Sequence, residues 1–368
     1  MPNTTAEKFL YYMDGVISEH RRGIIPIFIR IILTPLSWLM WIITGFRRWL
    51  YRFLPKKHLP CKVISVGNIV VGGSGKTPAV MAITKVLAAE GNCRISILYR
   101  GYKGTNRGTG VVSDGRKIHI NIRKAGDEPY FMAQNLPGFP VLVGKSRFKS
   151  GKKAVQEFGS KILILDDGFQ RLGLYRDMDI ITMDATKPFG NGYLLPRGYL
   201  REPALALKDA HAIILTRTDQ CKDLIELHRN INRIAPSVPI FNTFYKPTYL
   251  RLLHTRNPVT LEILKGKSLL GVCGIGNPQS FLNTLRSLQP ESVELIAFPD
   301  HHSYPQSSIQ KISRKFESIK ADFIITTEKD APKMINLRIL PAFSLHVELS
   351  ISERYVDRFR EFLLQIEK

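Results

Sequence analysis

Cysteine is scarce in this sequence, and the few that occur are isolated. The 368 residues include four cysteines, and no two of them form a CxxC pair. A zinc ribbon or a thioredoxin-type redox site needs such pairs, so neither is expected. Single thiols of this kind are typical of buried core residues in a reducing compartment.

Acidic residues are few relative to basic ones. Fifty-three Lys and Arg stand against 31 Asp and Glu, which gives a formal net charge of +22. An excess of this size predicts an anionic partner: nucleic acid, an acidic membrane or a phosphorylated substrate. The sequence has no zinc-finger spacing, no aromatic RNA-binding pattern and no basic zipper, so we expect no nucleic-acid partner. No obligate protein partner is evident.

Long hydrophobic runs are nearly absent. The most apolar region, 24–54, contains a charge-free run at 31–46, shorter than the roughly 20 residues that a helix needs to cross a bilayer. Arg30 precedes this run, and Arg47 and Arg48 follow it. Because basic residues flank both ends and three tryptophans lie among them, the composition suits a membrane–water interface.

Three interpretations of this apolar region remain open. A single membrane span, an interfacial helix or hairpin held by basic residues on anionic lipid, and a core helix of a soluble domain all fit the composition. A secretory signal is not expected, since no small-residue cleavage site follows the apolar core. We take residues 1–55 as a membrane-associated segment that meets an anionic membrane surface.

A glycine-rich turn follows the first strand-like segment. The apolar segment 61–66 precedes the turn, and a helical pattern starts after it. Strand, glycine-rich turn, Lys-Thr and helix form the context of a phosphate-binding loop, in which backbone N–H groups and a helix N-terminus attract phosphate. The predicted nucleotide-binding residues are Gly72, Gly73, Ser74, Gly75, Lys76 and Thr77.

Two of these residues have specific expected tasks on ATP. The Lys76 ammonium is expected to reach the β- and γ-phosphates, and the Thr77 hydroxyl is expected to bind Mg²⁺. The usual pattern GxxxxGK[ST] has a glycine where this sequence has Val70. The entry into the turn is therefore expected to have a different shape.

Two acids end a second apolar segment, 161–165. Asp166 and Asp167 follow it, as in the strand of P-loop enzymes whose terminal Asp holds magnesium. Adjacent side chains on an extended chain point in opposite directions, so the two acids are expected to face different parts of the site. We assign Asp166 to the metal, directly or through water.

Nine short motifs follow one another along the chain. They are VGNIVVGGSGKTP at 66–78, YRGY at 99–102, AGDEP at 125–129, GKSR at 144–147, LDDGFQ at 165–170, NGYLLPRGYLREP at 191–203, CGIGNPQSF at 273–281, PDHHSY at 299–304 and TTEKDAPK at 326–333. With the apolar N-terminal segment, this ordered set resembles the tetraacyldisaccharide 4′-kinase (lipid A 4′-kinase) family over nearly the whole chain. That family shares the turn without the first glycine.

The resemblance implies an activity and a location. The family uses ATP and Mg²⁺ to phosphorylate the 4′-hydroxyl of an acylated glucosamine disaccharide 1-phosphate in lipid A biosynthesis. It acts on the cytoplasmic face of the bacterial inner membrane, as a peripheral or monotopic protein. This chain departs from the family at Arg171, where His is common after DDGFQ, and that leaves the role of Arg171 open.

The resemblance and the residue chemistry together suggest a catalytic set. Asp127 is the candidate base, His301 the imidazole that shares its proton, and Asp167 their support, while the acid that finally takes the proton stays open. Glu202 is the predicted second acid near the metal. Predicted contacts with substrate or phosphate are Arg147, Gln170 and Arg201.

The pattern of elements predicts an α/β fold. We expect a P-loop NTPase-like, largely parallel sheet, a second, smaller α/β domain and an N-terminal membrane-associated helix, over residues 56–240, 241–368 and 1–55 respectively. The predicted strands are 61–66, 95–99, 162–166, 179–183, 212–216, 268–273, 293–298 and 322–326. A membrane-attached P-loop ATPase of another class and a nucleotide-binding module without turnover remain the alternatives.

Overall fold

The chain folds into two compact units. The larger unit contains residues 2–244 and 351–368, and the smaller unit contains residues 245–350. The predicted boundary at 240 stays a prediction, and residues 351–368 belong here to the larger unit. The computed structural model describes residues 5–90, 93–101, 108–255, 257–300, 302–334, 337 and 341–367.

Two helices precede the sheet of the larger unit. They are α1 (Thr5–Ile17) and α2 (Ile24–Phe53). Helix α2 runs through Pro35 without a break and is long and apolar enough, by length and composition, to cross a membrane. Only 11% of its most apolar stretch is buried in the protein, whereas a core helix of a soluble domain would be mostly buried. This exposure disfavours the soluble-core interpretation.

The sheet of the larger unit is almost wholly parallel. Its strands are β1 (Lys62–Gly67), β2 (Ile95–Tyr99), β3 (Gly110–Asp114), β4 (Pro140–Val143), β5 (Ile162–Asp166), β6 (Met178–Asp184), β7 (Ala212–Thr216) and the start of β8 (Ile240–Leu252). They lie in the order β3-β4-β2-β5-β1-β6-β7-β8, and only β3 is antiparallel to its neighbour. The predicted fold class is confirmed.

Helices of the larger unit pack against this sheet. They are α3 (Lys76–Glu90), α4 (Ile122–Ala125), α5 (Asp127–Asn135), α6 (Arg147–Phe158), α7 (Leu224–Ile234) and α10 (Val356–Leu364). In α10 the Phe359 ring packs edge-on at 5.0 Å from that of Phe241 in β8. Because helices cover the sheet, its central strands are continuous apolar runs buried over nearly their whole length.

The parallel sheet brings several loops to one edge. β1 pairs in register with β5 on one side and β6 on the other, so that Val66 lies beside Asp166 and Ile180. The carboxyl ends of parallel strands meet at the same edge, where ligands of open α/β sheets bind. The glycine-rich turn, the Asp166–Asp167 pair and the ends of β6 and β7 therefore lie at a common edge.

The smaller unit has its own sheet and core. Its strands are the rest of β8, β9 (Pro258–Val259), β10 (Ser268–Cys273), β11 (Ser292–Ala297), β12 (Phe323–Thr327) and β13 (Ala342–Ile351), and its helices are α8 (Pro278–Arg286) and α9 (Gln306–Ser318). β11, β10, β12 and β13 are parallel and lie in that order. Buried Leu270, Val272 and Ile324 belong to its core.

Candidate active site

The glycine-rich turn joins strand β1 to helix α3. Helix α3 begins at Lys76, so Lys76 and Thr77 lie in its first turn. Gly72 and Gly75 have φ angles of 116° and 85°, a region that other residues rarely adopt. The turn can thus present backbone N–H groups together with the positive end of α3, the combination that binds phosphate.

Val70 occupies the position where the usual phosphate-binding pattern has glycine. It forms an isolated antiparallel bridge with Leu200, and the Val71 N–H donates to the Tyr199 carbonyl at 2.8 Å. Any L residue can adopt a paired, extended backbone, so valine fits here without strain. Segment 191–203 therefore pairs with the chain at the entry into the turn.

Polar side chains at the ends of β6 and β7 hold the turn in place. The hydroxyl of buried Ser74 lies 2.9 Å from that of Thr182. Thr216 donates its hydroxyl to the Ser74 carbonyl at 3.2 Å, and Arg217 donates to the Gly73 carbonyl at 3.0 Å. Because both backbone and side chain of Ser74 are fixed, the turn is preorganised before any nucleotide arrives.

Asp166 ends strand β5 and is almost fully buried. The Thr77 hydroxyl donates to its Oδ2 at 3.4 Å, and its Oδ1 makes no well-formed hydrogen bond among the described residues. Burial, and next the negative charge of Glu128, raise the pKa of Asp166 to about 7, against the lowering effect of the Lys76 cation. The carboxyl group is therefore ready to gain stability from a cation.

The oxygen atoms at this point suit magnesium. Mg²⁺ prefers carboxylate and hydroxyl oxygens and usually binds one or two carboxylates together with substrate phosphates. Across the described part of the chain, no cluster of three or more His, Cys, Asp or Glu side chains could hold a metal ion alone. Thr77 and Asp166 thus fit a metal that is shared with a nucleotide, and not an all-protein cage.

Asp167 forms a forked ion pair with Arg201. The two guanidinium Nη atoms donate to Oδ1 and Oδ2 at 2.7 and 3.2 Å, and the Lys76 Nζ lies 3.9 Å from Oδ1. Burial raises the pKa of Asp167, but the Arg201 hydrogen bonds and the charges of Lys76 and Arg147 outweigh it and bring the pKa below its usual value. Asp167 is therefore an ionised carboxylate beside the lysine of the turn.

Arg147 and Gln170, two predicted contacts with substrate or phosphate, form hydrogen bonds within the protein. Arg147 is 4% exposed, and its Nη atoms donate to the carbonyls of Gly144 at 3.1 Å and Asp166 at 2.8 Å. The Gln170 side chain donates to the Asn68 carbonyl at 2.8 Å. These bonds fix the backbone around β5 and β1, so the arrangement does not favour direct phosphate contact by Arg147.

Glu202 pairs with helix α2 in this structure. Its carboxylate is fully buried, with Oε1 2.7 Å from the Arg47 Nη2 and Oε2 3.5 Å from the Arg48 Nη1. Both oxygens are thus engaged by cations from a helix that lies far away in sequence. The prediction that Glu202 binds the metal is not favoured by these contacts.

Asp127 begins helix α5, directly after Gly126. The charge of its neighbour Glu128 acts on Asp166 and raises the pKa of that carboxyl group. The start of α5 therefore lies near the end of β5.

His301 lies outside the described residues, so its role in proton transfer stays a prediction. Its neighbour His302 is bonded through Nε2 to the Ser308 hydroxyl at 2.8 Å. Asp300 accepts from the Lys329 ammonium at 2.9 Å. All of these contacts belong to the smaller unit.

A cavity of about 330 Å³ includes Asp167 and Arg201 in its wall. Burial and the neighbouring Arg100 cation lower the pKa of Arg171, as expected where like charges crowd together. An apolar wall beside crowded cations suits an amphipathic ligand with an anionic group and an apolar part. The apolar lining is Met40, Leu194, Leu195 and Leu200, and the polar lining is Thr44, Arg47, Arg100, Asp167, Gln170, Arg171, Arg201 and Glu202.

Sequence reasoning missed several residues of this site. Asn68 donates to the Ser74 hydroxyl at 3.0 Å and accepts from Arg201 at 2.9 Å, so it joins the turn to the Asp167 ion pair. Arg100 lines the cavity, and Glu128 acts on Asp166. Each lies inside a motif that the sequence displays, and that position was the available signal.

Comparison with known proteins decides the family. The model of the family described as tetraacyldisaccharide-1-P 4′-kinase matches residues 29–366. The chain belongs to this family. It is therefore an ATP-dependent kinase, and the family that the motifs resemble is confirmed.

The sequence of this kinase aligns with those of its relatives over most of its length. The tetraacyldisaccharide 4′-kinase of Syntrophus aciditrophicus is 39% identical over 322 residues, which cover 84% of this chain and 85% of that protein. The one from Halothermothrix orenii is 37% identical over 344 residues, covering 89% and 88%. A crystal structure of LpxK from Aquifex aeolicus in complex with ATP matches with a TM-score of 0.71 and 31% identity, covering 92% of this chain and 99% of that one.

Proposed function

We propose that this kinase transfers the γ-phosphate of ATP to the 4′-hydroxyl of an acylated glucosamine disaccharide 1-phosphate, as its relatives' names suggest. The observation that carries the proposal is the cavity, because one wall holds Asp167 and Arg201 of the phosphate site and another holds helix α2. A sugar hydroxyl held there would lie beside the phosphate-binding turn while its acyl chains remain near an apolar helix.

On the nucleotide side, the turn and its lysine hold the phosphates. Lys76 places a cation at the β- and γ-phosphates, and the backbone N–H groups of the turn add hydrogen bonds that exist before the reaction starts. Thr77 and Asp166 would hold Mg²⁺, which supplies neutralisation of charge on the transferring phosphoryl group. Positioning and charge stabilisation account for most catalysis in this reaction class.

On the acceptor side, arginines meet an anionic sugar. Arg100 and Arg171 line the cavity, and neither guanidinium is neutralised by a carboxylate in any ion pair among the described residues. Guanidinium groups bind phosphate in a fork, so we assign these two to the 1-phosphate of the acceptor. This gives Arg171 a role that the sequence left open.

The hydroxyl needs a group to accept its proton. Asp167 is ion-paired and has a lowered pKa, so it is a weak base and serves better to orient the hydroxyl and Lys76. Asp127 at the start of α5 is our proton acceptor. The acceptor carboxylate thus lies on a different element from the one that binds the metal.

The membrane supplies the acceptor. Trp38, Trp41 and Trp49 of helix α2 are 52–62% exposed, and their rings suit the headgroup region of a bilayer. We place α2 at the cytoplasmic face of the bacterial inner membrane, where ATP is available and the lipid is laterally delivered. The anionic surface would also hold the basic protein by charge.

Labelled ATP tests this function directly. The kinase is mixed with γ-labelled ATP and the tetraacylated disaccharide 1-phosphate in detergent micelles, and the position of the new phosphate is determined by mass spectrometry. We expect label at the 4′-oxygen, and a raised KM for the same lipid without its 1-phosphate. Phosphate release without labelled lipid would overturn the proposal in favour of an ATPase of another class.

A further inference from the structure

Segment 191–203 connects the phosphate-binding turn with the N-terminal helices. On the side of the turn, the Arg201 N–H donates to the Ile69 carbonyl at 2.7 Å, next to the bridge between Val70 and Leu200. On the side of the helices, three hydrogen bonds of 2.5–2.9 Å reach α1, α2 and the residues between them: Asn191–Ile17, Arg197–Glu19 and Leu194–Ser37. The helices therefore dock on the same stretch of chain that carries Arg201, which forms the ion pair with Asp167. We call the Asp167–Arg201 pair the catalytic ion pair.

Arg48 of α2 is a nearly buried cation in this contact. Its side chain is only 10% exposed. The guanidinium donates to Asp209 Oδ2 through Nε at 3.0 Å and Nη2 at 2.7 Å, and its Nη1 lies 3.5 Å from Glu202 Oε2. Its carbon Cζ also lies 4.6 Å from the ring centre of fully buried Phe169. A planar guanidinium suits both a forked carboxylate pair and an aromatic face.

These partners are the neighbours of the catalytic ion pair. Phe169 follows Asp167 by two residues, and Glu202 follows Arg201 by one. Phe169 packs closely on Gly67, because a Cβ added at this glycine would lie 2.4 Å from the Phe169 Cβ. Arg48 thus touches both loops that carry Asp167 and Arg201, while it contacts neither of those two residues itself in any described hydrogen bond or ion pair.

We propose that Arg48 is a positioning residue for phosphoryl transfer: it fixes the Asp167–Arg201 pair by holding Phe169 on one loop and Glu202 with Asp209 on the other. The membrane-associated helix is then part of the catalytic apparatus and not only an anchor. This inference rests on the proposed function, because it is measured as transfer to the lipid acceptor.

Arg47 makes the inference testable without loss of the fold. When Arg48 is replaced by Gln, buried Glu202 keeps its 2.7 Å ion pair with Arg47, so no uncompensated charge is left in the interior. Asp209 keeps Arg52 at 3.4 Å and is itself partly exposed. The substitution removes the contact with Phe169, the two hydrogen bonds to Asp209 Oδ2 and the 3.5 Å contact with Glu202 Oε2.

The chain offers a matched control at Arg52. This residue lies one turn further along α2, its side chain is 67% exposed, and among the described residues its ion pair is with Asp209. Arg48→Gln and Arg52→Gln remove the same charge from the same helix, so both weaken attraction to anionic lipid alike. Transfer to the lipid in micelles gives kcat and KM for each, and vesicle sedimentation gives membrane binding.

We expect Arg48→Gln to lower kcat between about tenfold and a hundredfold, the range expected when a catalytic group is misplaced, with KM for ATP and lipid nearly unchanged. Arg52→Gln should keep kcat within about twofold of the parent enzyme. Arg48→Lys should restore part of kcat, because lysine keeps the charge near Phe169 but cannot form the fork. Vesicle binding should be equal in the two Gln variants.

Equal kcat in Arg48→Gln and Arg52→Gln would overturn the inference, and so would a loss confined to KM or to vesicle binding. If Arg48→Gln does not fold, as judged by thermal unfolding, the same comparison between Arg48→Lys and Arg52→Lys decides. A parent enzyme that transfers no phosphate to the lipid would instead refute the proposed function, which separates the two failures.

Discussion

The two units each contain a strand that runs through a glycine turn into a helix, with an acid at the end of a neighbouring parallel strand. In the larger unit the turn precedes Lys76, and the acid is Asp166. In the smaller unit the turn begins at Gly274 after β10, and the acid is Asp330, which follows β12. Each turn starts a helix, and a helix N-terminus attracts anions.

The smaller unit fills its turn with its own carboxylate. Buried Asp330 accepts at Oδ2 from the Gly274 N–H at 2.8 Å and from the Thr327 hydroxyl at 2.8 Å. The N-terminus of α8 is also capped, because the Asn277 side chain accepts from the Ser280 N–H. The groups that would meet phosphate are therefore already paired with internal acceptors.

The larger unit leaves its acid available for a cation and adds a lysine. Asp166 takes a long hydrogen bond of 3.4 Å from Thr77, and the Lys76 ammonium lies 3.9 Å from Asp167 Oδ1. The comparison teaches that a glycine turn at a helix start does not define a phosphate site. The neighbouring acid makes the difference. Asp330 accepts a hydrogen bond from the N–H of its own turn, whereas Asp166 is left available to a cation beside the turn.

Lys76→Ala provides the largest test of this contrast. Without the ammonium, the developing charge on the γ-phosphate loses its closest cation, and we expect kcat for transfer to fall by about a thousandfold or more. Kinetic assays with labelled ATP measure the loss. Lys85→Ala, an exposed change on the same helix, is the control and should stay close to the parent enzyme. Near-normal turnover in Lys76→Ala would assign the phosphate to another turn.

Asp127→Ala tests whether the larger unit, which contains the phosphate-binding turn, also supplies the general base. Loss of a general base lowers kcat by about a hundredfold or more, while ATP, which is held by other residues, should bind as before. Equilibrium binding of a fluorescent nucleotide and steady-state kinetics separate the two. A drop in kcat of less than about tenfold, or 1.4 kcal/mol of barrier, would remove Asp127 as the base.

The raised pKa of Asp166 predicts that stability and metal binding depend on pH. Its pKa of about 7 is raised above the usual carboxyl value, so below pH 7 the folded protein holds a proton there, and stability from this group declines as pH rises toward 7. Metal binding needs the carboxylate, so binding of Mg²⁺ with the nucleotide near pH 6 should release about one proton. The affinity for Mg²⁺ should fall as the pH falls. Calorimetry in buffers of different ionisation enthalpy counts the protons.

The adjacent acid is the control for that measurement. Since the pKa of Asp167 is lowered, this group is already ionised and releases no proton itself. Asp167→Asn should therefore keep most of the release, and the part it loses reflects the Asp167 charge that helps to raise the pKa of Asp166. Asp166→Asn should abolish the release. Equal proton release in Asp166→Asn and the parent enzyme would show that another group titrates.

Asp330→Ala makes the smallest expected change in activity and tests the second turn. It leaves the Gly274 N–H and the Thr327 hydroxyl without their acceptor in the interior, which should cost about 1–3 kcal/mol of unfolding free energy. Urea unfolding measures it. KM for ATP should change far less than it does in Lys76→Ala, and a loss of ATP binding without a loss of stability would place nucleotide at the second turn.

Much of the fold could be predicted from the sequence, because buried parallel strands are continuous apolar runs. The predicted strands at 95–99, 162–166 and 212–216 coincide with β2, β5 and β7. Among the strands that were not predicted are β3, β4 and β13. β4 has only four residues and starts at Pro140, and β3 pairs antiparallel with it, so both depend on partners that local sequence does not reveal.

The candidate site was predictable where its residues are neighbours in a motif. Gly72 to Thr77 and the Asp166–Asp167 pair need only the geometry of one turn or one strand end. Glu202 was assigned to the metal, yet it pairs with Arg47, 155 residues earlier in the chain. Arg217, which holds the turn through Gly73, lies outside the quoted motifs, and only the pairing of β7 beside β6 brings it there.

A crystal structure with a nonhydrolysable ATP analogue and Mg²⁺ tests the central claim most directly. The account predicts the β- and γ-phosphates on the backbone N–H groups of residues 72–77 and on the Lys76 ammonium, with the metal against Thr77 and Asp166. Phosphates seated on the turn that begins at Gly274, with the turn before Lys76 empty, would contradict it.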